Sequence, residues 1–449
     1  QQDTTSGVLM RHAYSTLLDV DNEGKVVPDL AESYEMKSDT EYVFKLREDA
    51  CFWDGTPVTA QDVKFSLDRA KGMPKTKSNT SKIEEVTVNG DHEVTIKLTE
   101  PYAAFKTIVT QHNLSILSEK AVTEAGDSYG DVDNLLGSGP FKVTEWVPND
   151  HYTLVRNDNY WGEMPIATSI TCRVIPEGSA RTIALEAGEI DVVWSVDPTD
   201  CANVESNPDV KLLSQPSTGI DYVGMNTQKE KFSDKRVRQA INYALDKQAF
   251  VDTIIEGRGL VANSYINAAI PGWTDEVEAY PYDPEKAKEL LAEAGYPDGF
   301  ECSIFVNGDL RTRSAQILQA QLADVGIKVD ISTYEWGALL DTLNAGEHEM
   351  FLLGWSNTSF DPDGSTYQLF YSGNHGATGN RAFFSNDKVD ELILSAQRES
   401  EESKRMELYK ELQFVLHEES PWCPLYYKEN NVGVRADLKG FTLHAGAQH

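Results

Sequence analysis

The chain of 449 residues is predicted to be an α/β protein with more than one domain. Segments with strand-like and helix-like patterns alternate along it, which is typical of sheets that carry helices on both faces. The length exceeds what one ordinary hydrophobic core organises, so we expect two or three domains. The sequence contains no short internal repeat, and no low-complexity linker marks a boundary between domains.

Alternating polar and apolar residues mark the strands of the first half. Glu41–Leu46 (EYVFKL) alternates with the period of two that predicts a half-buried strand. Residues 86–98 contain two such runs around Asn89-Gly90, a dipeptide that favours a tight hairpin. A hinge-like turn at residues 137–140 (GSGP) leads into another strand, and residues 153–156 continue that sheet.

Helical periodicity dominates the second half. One helix is predicted over residues 234–255, because apolar residues recur there at helical spacing and Asp234 can cap its start. Asp283-Pro284 opens a second helix, and residues 327–331 alternate as a strand. Further helices are predicted over residues 313–325, Asp387–Arg398 and 403–416.

Composition and charge exclude several classes of protein. The 40 basic and 72 acidic side chains give a net charge of −32, which argues against nucleic-acid binding. This acidity suits a solvated surface, and attraction of cationic ligands is the alternative. The apolar runs are too short for a membrane span. The sequence after Gln1 shows no signal peptide, that is, no basic segment followed by an apolar one. The chain is therefore either cytosolic or a form from which the signal peptide has been removed, and we favour the second interpretation.

The five cysteines predict neither a disulfide scaffold nor a zinc site. Their number is odd and none belongs to a CxxC pair. Buried free thiols are the default interpretation, and one bridge stays open.

The most distinctive stretch is residues 51–69 (CFWDGTPVTAQDVKFSLDR). Its Asp-Gly turn and Pro57 precede Thr59, which can cap a helix with Asp62 as a capping-box partner. Such a strand–turn–helix joint is common, but the amino-acid sequence of this one resembles the signature of the family 5 extracytoplasmic solute-binding proteins. These are peptide- and nickel-binding receptors that feed ABC importers.

The resemblance continues in order along nearly the whole chain. The matching blocks are residues 28–33 (PDLAES), 137–141 (GSGPF) with 156–161 (RNDNYW), 232–240 (FSDKRVRQA), 333–337 (TYEWG), 354–355 (GW) and 421–425 (PWCPL). Family members usually begin with a strand before the segment that resembles residues 3–18. That strand is missing here, so we expect a start that is truncated or joined to another segment.

The resemblance implies a class II periplasmic-binding-protein-like fold, with two lobes joined by a hinge and an inserted small domain. The lobes would close on a ligand held in the crevice between them. Carried onto this chain, lobe I comprises residues 1–18, 139–226 and 428–449, the inserted domain 19–138, and lobe II 227–427.

The same resemblance implies ligand-facing residues near two motifs late in the chain, residues 333–337 and residues 354–355. They are Trp336, Gly354, Trp355, Asn357 and Thr358. A Trp face can stack on a planar or apolar group, and Gly lets the backbone approach closely. The alternative is that both Trp side chains belong to the lobe core.

Both anchors that dipeptide-binding relatives use for the peptide termini are absent. The Asp that pairs with the α-amine falls on Thr358, and the Arg that pairs with the α-carboxylate falls on Phe305. A buried ammonium group without a carboxylate is costly, so a free dipeptide held by both termini is disfavoured. Residues 354–370 resemble, loosely, the glutathione-binding branch.

Other residues are candidates for ligand contact. Arg381 is either a carboxylate clamp, because a guanidinium binds carboxylates bidentately, or part of a structural salt bridge. Asp361 is expected to order its own loop as an Asx turn before Pro362. The remaining candidates for the first-lobe or hinge side, each with core packing as the alternative, are Tyr14, Trp194, Tyr222 and Asn307.

Catalytic and metal-binding signatures are missing from the sequence. The nine His residues form neither HExxH nor an i, i+4 pair. His375 alone stays a weak candidate for contact with a nickel chelate. No GxSxG elbow and no P-loop is present. We therefore predict no enzyme activity, no cofactor and no resident metal, and a peptide or glycan hydrolase is the alternative class.

Together these observations predict an extracytoplasmic receptor that captures a peptide-like ligand and delivers it to an ABC permease in the membrane. We expect a monomer, free in a periplasm or tethered by a lipid. A nickel chelate, an opine or an oligosaccharide stays open as the ligand.

Overall fold

The structure, a computed structural model, describes residues 4–73 and 76–443. The chain divides into two compact units, Gln1–Ala184 with Gly440–His449, and Leu185–Lys439. The finer division into two lobes and an inserted domain stays a prediction. Parts of its segments (residues 1–3, 74–75 and 444–449) lie outside the described residues.

The first unit is built on three small antiparallel sheets, ordered β1-β2, β3-β4-β6-β5 and β7-β8-β9. Its strands are β1 (Leu18–Val20), β2 (Val26–Pro28), β3 (Ala31–Ser38), β4 (Glu41–Leu46), β5 (Ile83–Gly90), β6 (Glu93–Leu98), β7 (Phe141–Val147), β8 (His151–Arg156) and β9 (Ser169–Arg173). Its helices are α1 (Thr4–Ala13), α2 (Ala60–Lys71), α3 (Lys77–Thr80), α4 (Phe105–Ile108) and α5 (Glu119–Ala125), and α6 (Gly178–Glu186) crosses the boundary between the units in sequence.

Local sequence signals in this unit are confirmed. Thr59 and Asp62 form the predicted capping box of α2. Strand β4 occupies the predicted residues, and β5 and β6 form the predicted hairpin. The turn of that hairpin falls at Asp91-His92, so the turn expected at Asn89-Gly90 is wrong by two residues, and that dipeptide ends β5.

The second unit carries a seven-stranded sheet in the order β10-β16-β11-β15-β13-β14, with β12 paired to β16. Its strands are β10 (Val192–Val193), β11 (Val210–Met225), β12 (Gly259–Val261), β13 (Phe300–Val306), β14 (Ile327–Thr333), β15 (Met350–Ser356) and β16 (Trp422–Arg435). Its helices are α7 (Cys201–Ser206), α8 (Glu230–Ser233), α9 (Lys235–Ala244), α10 (Lys247–Ile254), α11 (Pro284–Glu293), α12 (Gly308–Ala323), α13 (Trp336–Asn344), α14 (Asp363–Phe370), α15 (Asp387–Arg398) and α16 (Glu402–Glu419).

The two faces of this sheet follow the alternation along β11. Val223 and Met225 lie in a core cluster with residues of α9 to α12. Tyr222, on the opposite face, stacks on Trp422 at 3.5 Å between ring centroids and meets Phe351 edge-on. A residue on β11 therefore belongs to one face or the other by its parity.

The helix predicted over residues 234–255 is wrong in its continuity. The structure has two helices, α9 and α10, separated by Leu245 and Asp246. The Asp246 side chain accepts a hydrogen bond from the Ala249 amide at 3.3 Å, so it caps a new helix. The apolar periodicity continues across the break, so it did not reveal that one helix stops and a second one begins at the N-cap Asp246.

Two further observations bear on the predictions. All five cysteines are free thiols, and three of them are buried. Across residues 4–73 and 76–443, no helix combines the length and the apolar character that a membrane span requires.

Candidate ligand-binding site

The candidate site lies at the carboxyl ends of the parallel strands of the second unit. Strand β13 pairs in parallel with both β14 and β15, so the chain leaves these strands at one edge of the sheet. Asn307 directly follows β13, Trp336 begins α13 shortly after β14, and Trp355 lies near the end of β15, so all three are at that edge. In open α/β sheets this edge is the usual place for a ligand.

The two Trp residues of the late motifs have different environments. Trp336 opens α13 with 43% of its surface exposed, so its ring is not core. Trp355 is half-buried, and its Nε1–H donates a hydrogen bond to the Gly364 carbonyl at 3.0 Å. Phe305 packs its ring against Tyr334 at 4.9 Å between centroids. The edge thus presents aromatic surface.

Gly354 is required by a neighbouring side chain. It lies opposite Asp221 of β11 in the antiparallel register. A Cβ added at Gly354 would lie 3.0 Å from Asp221 Oδ1. The space that glycine leaves is therefore occupied by this carboxylate, and close approach of a ligand need not explain the glycine.

Arg381 is the most informative side chain of the site. Its Nε donates to Asn344 Oδ1 at 3.1 Å, and its guanidinium has no acidic partner within the described ranges. The side chain is half-buried, and desolvation lowers the pKa of its guanidinium. The structural salt bridge that we considered for Arg381 is thus not formed in the described chain. Its two terminal nitrogens stay free to bind an anion.

The loop that carries Arg381 is held by buried polar side chains. Asn380 is fully buried, donates to the carbonyls of Tyr371 and Phe384, and accepts from the Phe384 amide. His348 contacts the Arg381 carbonyl through Nε2 at 2.9 Å. The loop is therefore fixed before any ligand arrives.

Tyr222 brings a second donor to the site. Its side chain is 2% exposed, yet its hydroxyl makes no hydrogen bond to any residue that the structure describes. Burial raises the pKa of this hydroxyl, so it stays protonated, while the charges of Arg381 and Arg311 oppose the rise. The hydroxyl is a neutral donor under the influence of two cations.

A cluster of three charged side chains lies around Asp221 on the other face of the sheet. Lys428 Nζ lies 3.1 Å from Asp221 Oδ2, and Arg311 Nη2 lies 3.9 Å from Oδ1. Asn307 Oδ1 accepts from Arg311 Nη1 at 2.7 Å. We call Asp221, Arg311 and Lys428 the Asp221 cluster. Asn307 thus orients a cation of this cluster.

The loop after β15 is internally bonded. Asn357 is 2% exposed, and its amide donates to the Asp361 carbonyl at 2.7 Å and to Ser365 Oγ at 2.8 Å. Asp361 accepts from the Asp363 amide at 2.9 Å, which confirms the expected Asx turn. Thr358 is half-buried in the same loop. The contact of Asn357 and Thr358 with ligand stays a prediction.

The Asp361 carboxylate is also consumed by an ion pair. Arg405 donates to both of its oxygens, at 2.8 and 2.5 Å, and both side chains are buried. Between Asn357 and Asp361, Phe360 adopts a positive φ of 54°, which is strained for an aromatic residue. The ion pair therefore holds a strained loop in place.

The remaining predicted residues lie in different places. Tyr14 belongs to the first unit, where its hydroxyl lies 3.3 Å from that of Tyr129 and its ring packs near Trp53. Trp194 follows β10 and is half-buried. His375 contacts the Phe384 carbonyl at 3.0 Å. No group of three or more His, Cys, Asp or Glu side chains gathers as a metal site in the described part of the chain.

Sequence reasoning missed Asp221, Arg311 and Lys428. One usable signal was Asp221 itself, an acid within the apolar run IDYVGM. A buried acid in a strand demands a cation. The i, i+4 spacing of Asn307 and Arg311 was a second signal. Nothing local pointed to Lys428, which comes from the other end of the chain.

Comparison with known proteins identifies the family. Residues 25–377 match the family model described as bacterial extracellular solute-binding proteins, family 5 middle. Heme-binding protein A of Haemophilus influenzae is 31% identical over 447 residues, which cover 93% of this chain and 81% of that protein. The dipeptide-binding protein of Escherichia coli is 30% identical, with 95% and 85% covered. The glutathione-binding protein GsiB of the same species is 31% identical, with 98% and 88% covered.

A solved structure shows the same fold over the whole chain. The periplasmic binding protein DppA of Helicobacter pylori, in complex with the peptide STSA, has a TM-score of 0.93 and 29% identity. It covers 100% of this chain and 93% of its own. These relatives are binding receptors, and they confirm the resemblance and the periplasmic-binding-protein fold. The chain belongs to family 5 of the bacterial extracellular solute-binding proteins, and it is a solute-binding receptor rather than an enzyme.

Proposed function

We propose that this receptor binds a peptide-like solute through a carboxylate that Arg381 holds, and that it delivers this solute to an ABC permease. The observation that carries the proposal is the state of Arg381, a half-buried guanidinium with free terminal nitrogens and no acidic partner in the described chain. Taking a guanidinium out of water is costly unless an anion compensates. A ligand carboxylate would compensate it with two charge-assisted hydrogen bonds.

The proposal favours recognition at the carboxyl end of the ligand. Asp361 and Asp221, two buried carboxylates of the second unit, already have cations beside them. Thr358 cannot replace the missing Asp as an ammonium anchor because it carries no charge. Relatives that bind dipeptides, glutathione and the peptide STSA make a peptide-like ligand the first candidate. Trp336 and Trp355 would then contact its side chains.

The setting of the proposed activity is outside the cytoplasm, as for the family. We propose a monomer, either free in a periplasm or tethered by a lipid to the outer face of the membrane. The permease is the partner that the family implies. Trp194 and Asn357 stay candidates for further ligand contacts.

The test combines ligand identification with one charge-removing variant. Native mass spectrometry of the freshly purified protein identifies a co-purified solute, and calorimetry with that solute or with a tripeptide panel gives its Kd. Arg381→Gln should weaken binding about 10- to 100-fold, since hydrogen bonds to charged groups contribute about 1.5–3 kcal/mol.

The matched control is Arg313→Gln, which removes the same charge from an exposed position on α12. It should leave Kd unchanged. Equal affinity in Arg381→Gln and wild type would refute the clamp. Retention of a nickel chelate, an opine or an oligosaccharide in place of a peptide would replace the ligand class, and turnover of the ligand would contradict a receptor.

A further inference from the structure

We propose that the Asp221 cluster is a second anion subsite, so that the preferred ligand is a peptide-like molecule with two carboxylates. The proposal rests on the proposed function, because it adds a second group to the ligand that Arg381 holds. It differs from that function in the residues involved and in the chemistry it selects.

The donors of the Asp221 cluster are incompletely used. Arg311 Nη2 lies 3.9 Å from Asp221 Oδ1, which is too far for a hydrogen bond, and its side chain is 24% exposed. Arg311 Nε is buried without a hydrogen-bond partner in the described chain. Lys428 approaches Asp221 Oδ2 to 3.1 Å, but the two groups are poorly aligned, and this oxygen also lacks a hydrogen-bond partner among the described residues.

The charge of the cluster is positive. Arg311 and Lys428 contribute two positive charges against the single negative charge of Asp221, which leaves one in excess. The acids at the neighbouring helix starts, Asp309 and Glu335, are exposed and form no ion pair with Arg311 in the part of the chain that the structure describes. This excess stands out in a chain whose net charge is −32.

The second subsite adjoins the first through Tyr222. Asp221 and Tyr222 are consecutive on β11, and their side chains point to opposite faces of the sheet. The charges of Arg311 and Arg381 both act on the Tyr222 hydroxyl. Asn307, at the carboxyl end of β13, fixes Arg311 through its 2.7 Å hydrogen bond. The two subsites therefore adjoin the same stretch of β11, where Asp221 and Tyr222 face opposite sides of the sheet.

This arrangement selects the class of ligand. A tripeptide with neutral side chains offers one carboxylate, which would occupy Arg381 and leave the second subsite hydrated. A peptide with an acidic residue, or with an acidic side-chain linkage, offers two. Since Asp221 is already flanked by cations, a ligand ammonium group gains nothing there.

Isosteric ligand pairs test this inference directly. Tripeptides that differ only by Gln or Glu, placed at the first, second or third position, are titrated into wild type, Arg311→Gln and Arg381→Gln by calorimetry. We expect wild type to bind the Glu member of at least one pair about 10- to 100-fold more tightly than its Gln twin. Arg311→Gln should abolish this preference, so that the Kd values of the Glu and Gln twins agree within about 2-fold in this variant.

The controls separate this inference from the proposed function. Arg313→Gln on the same helix should keep the preference, and Arg311→Lys, which retains the charge, should keep part of it. Equal binding of both twins by wild type, or an equal loss for both in Arg311→Gln, would overturn the second subsite and leave the Arg381 clamp standing. Absence of binding for every tripeptide would overturn the peptide-receptor proposal and this inference together.

Discussion

Gly354 of β15 lies directly opposite Asp221 of β11, and the carboxylate comes within 3.0 Å of the position that a Cβ would take at residue 354. The family motif that contains this glycine therefore has a structural reason. With a Cβ at residue 354, the Asp221 carboxylate would have to move from its place beside Lys428 and Arg311.

The first prediction concerns this glycine. Gly354→Ala would place Cβ 3.0 Å from Asp221 Oδ1, so either the strands or the carboxylate must shift. We expect a loss of about 1–3 kcal/mol in the free energy of unfolding, measured by urea denaturation. Gly337→Ala in α13 is the control, because a Cβ there meets nothing within 4 Å. It should be neutral or stabilising by up to about 1 kcal/mol. Equal stability of the two variants would contradict the packing argument.

The second prediction concerns the buried ion pair of Arg405 and Asp361. Arg405→Met would leave the Asp361 carboxylate buried and unpaired, at a cost of about 3–5 kcal/mol in the free energy of unfolding. Arg435→Met removes the ion pair with Asp437, whose side chain is 73% exposed, and should cost far less than the loss of the buried pair, because solvent screens an exposed ion pair. Similar losses in the two variants, measured by chemical denaturation, would show that the buried pair contributes no more than an exposed one.

Local side-chain chemistry was enough to predict several secondary-structure elements, whereas the candidate site depends on long-range pairing that the sequence does not reveal. The capping box of Thr59 and the Asx turn of Asp361 depend on neighbours within three residues, so the sequence suffices for both. The break between α9 and α10 shows where periodicity misleads, since the apolar face continued past Asp246 while the capping side chain ended the helix.

The charged part of the site depends on pairings that span much of the chain. Asp221 and Lys428 are more than two hundred positions apart and meet because β11 and β16 are neighbours in the sheet. Arg381 was predicted as a candidate, but only the structure shows that it lacks an acidic partner in the described chain. Ion pairing is a property of the folded arrangement, and single-sequence reasoning has no access to it.

The third prediction concerns the loop that positions Arg381. Asn380→Ala would leave the Phe384 amide and the Tyr371 carbonyl without their buried partner, so we expect a loss of about 1–3 kcal/mol in stability together with weaker ligand binding. Asn386→Ala removes the N-cap of α15 and should cost about 1 kcal/mol in stability without a change in Kd. Denaturation and calorimetry on both variants separate the two effects. Equal changes in Kd would mean that Asn380 does not position Arg381.

The last prediction concerns the pH dependence that His348 imposes. Burial lowers the pKa of His348 to about 4 from its ordinary 6.5. Its Nε2 is engaged with the Arg381 carbonyl, and its buried Nδ1 has no hydrogen-bond partner in the described chain, so a second proton would find no acceptor. The unfolded chain therefore binds this proton first as the pH falls, and stability decreases from about pH 6.5 downward until about pH 4.

The size of this effect can be isolated by difference. From pH 8 to pH 5, wild type should lose about 2 kcal/mol more of its free energy of unfolding than His348→Gln loses, because every other titrating group is common to both proteins. His151→Gln is the control of opposite sign. Asp150 and Glu145 raise the pKa of that half-buried ring, so the interaction stabilises the fold at low pH and is lost as the pH rises. Urea denaturation at the two pH values gives both differences. Parallel pH profiles for wild type and His348→Gln would show that His348 takes up its proton as readily in the folded chain as in the unfolded one.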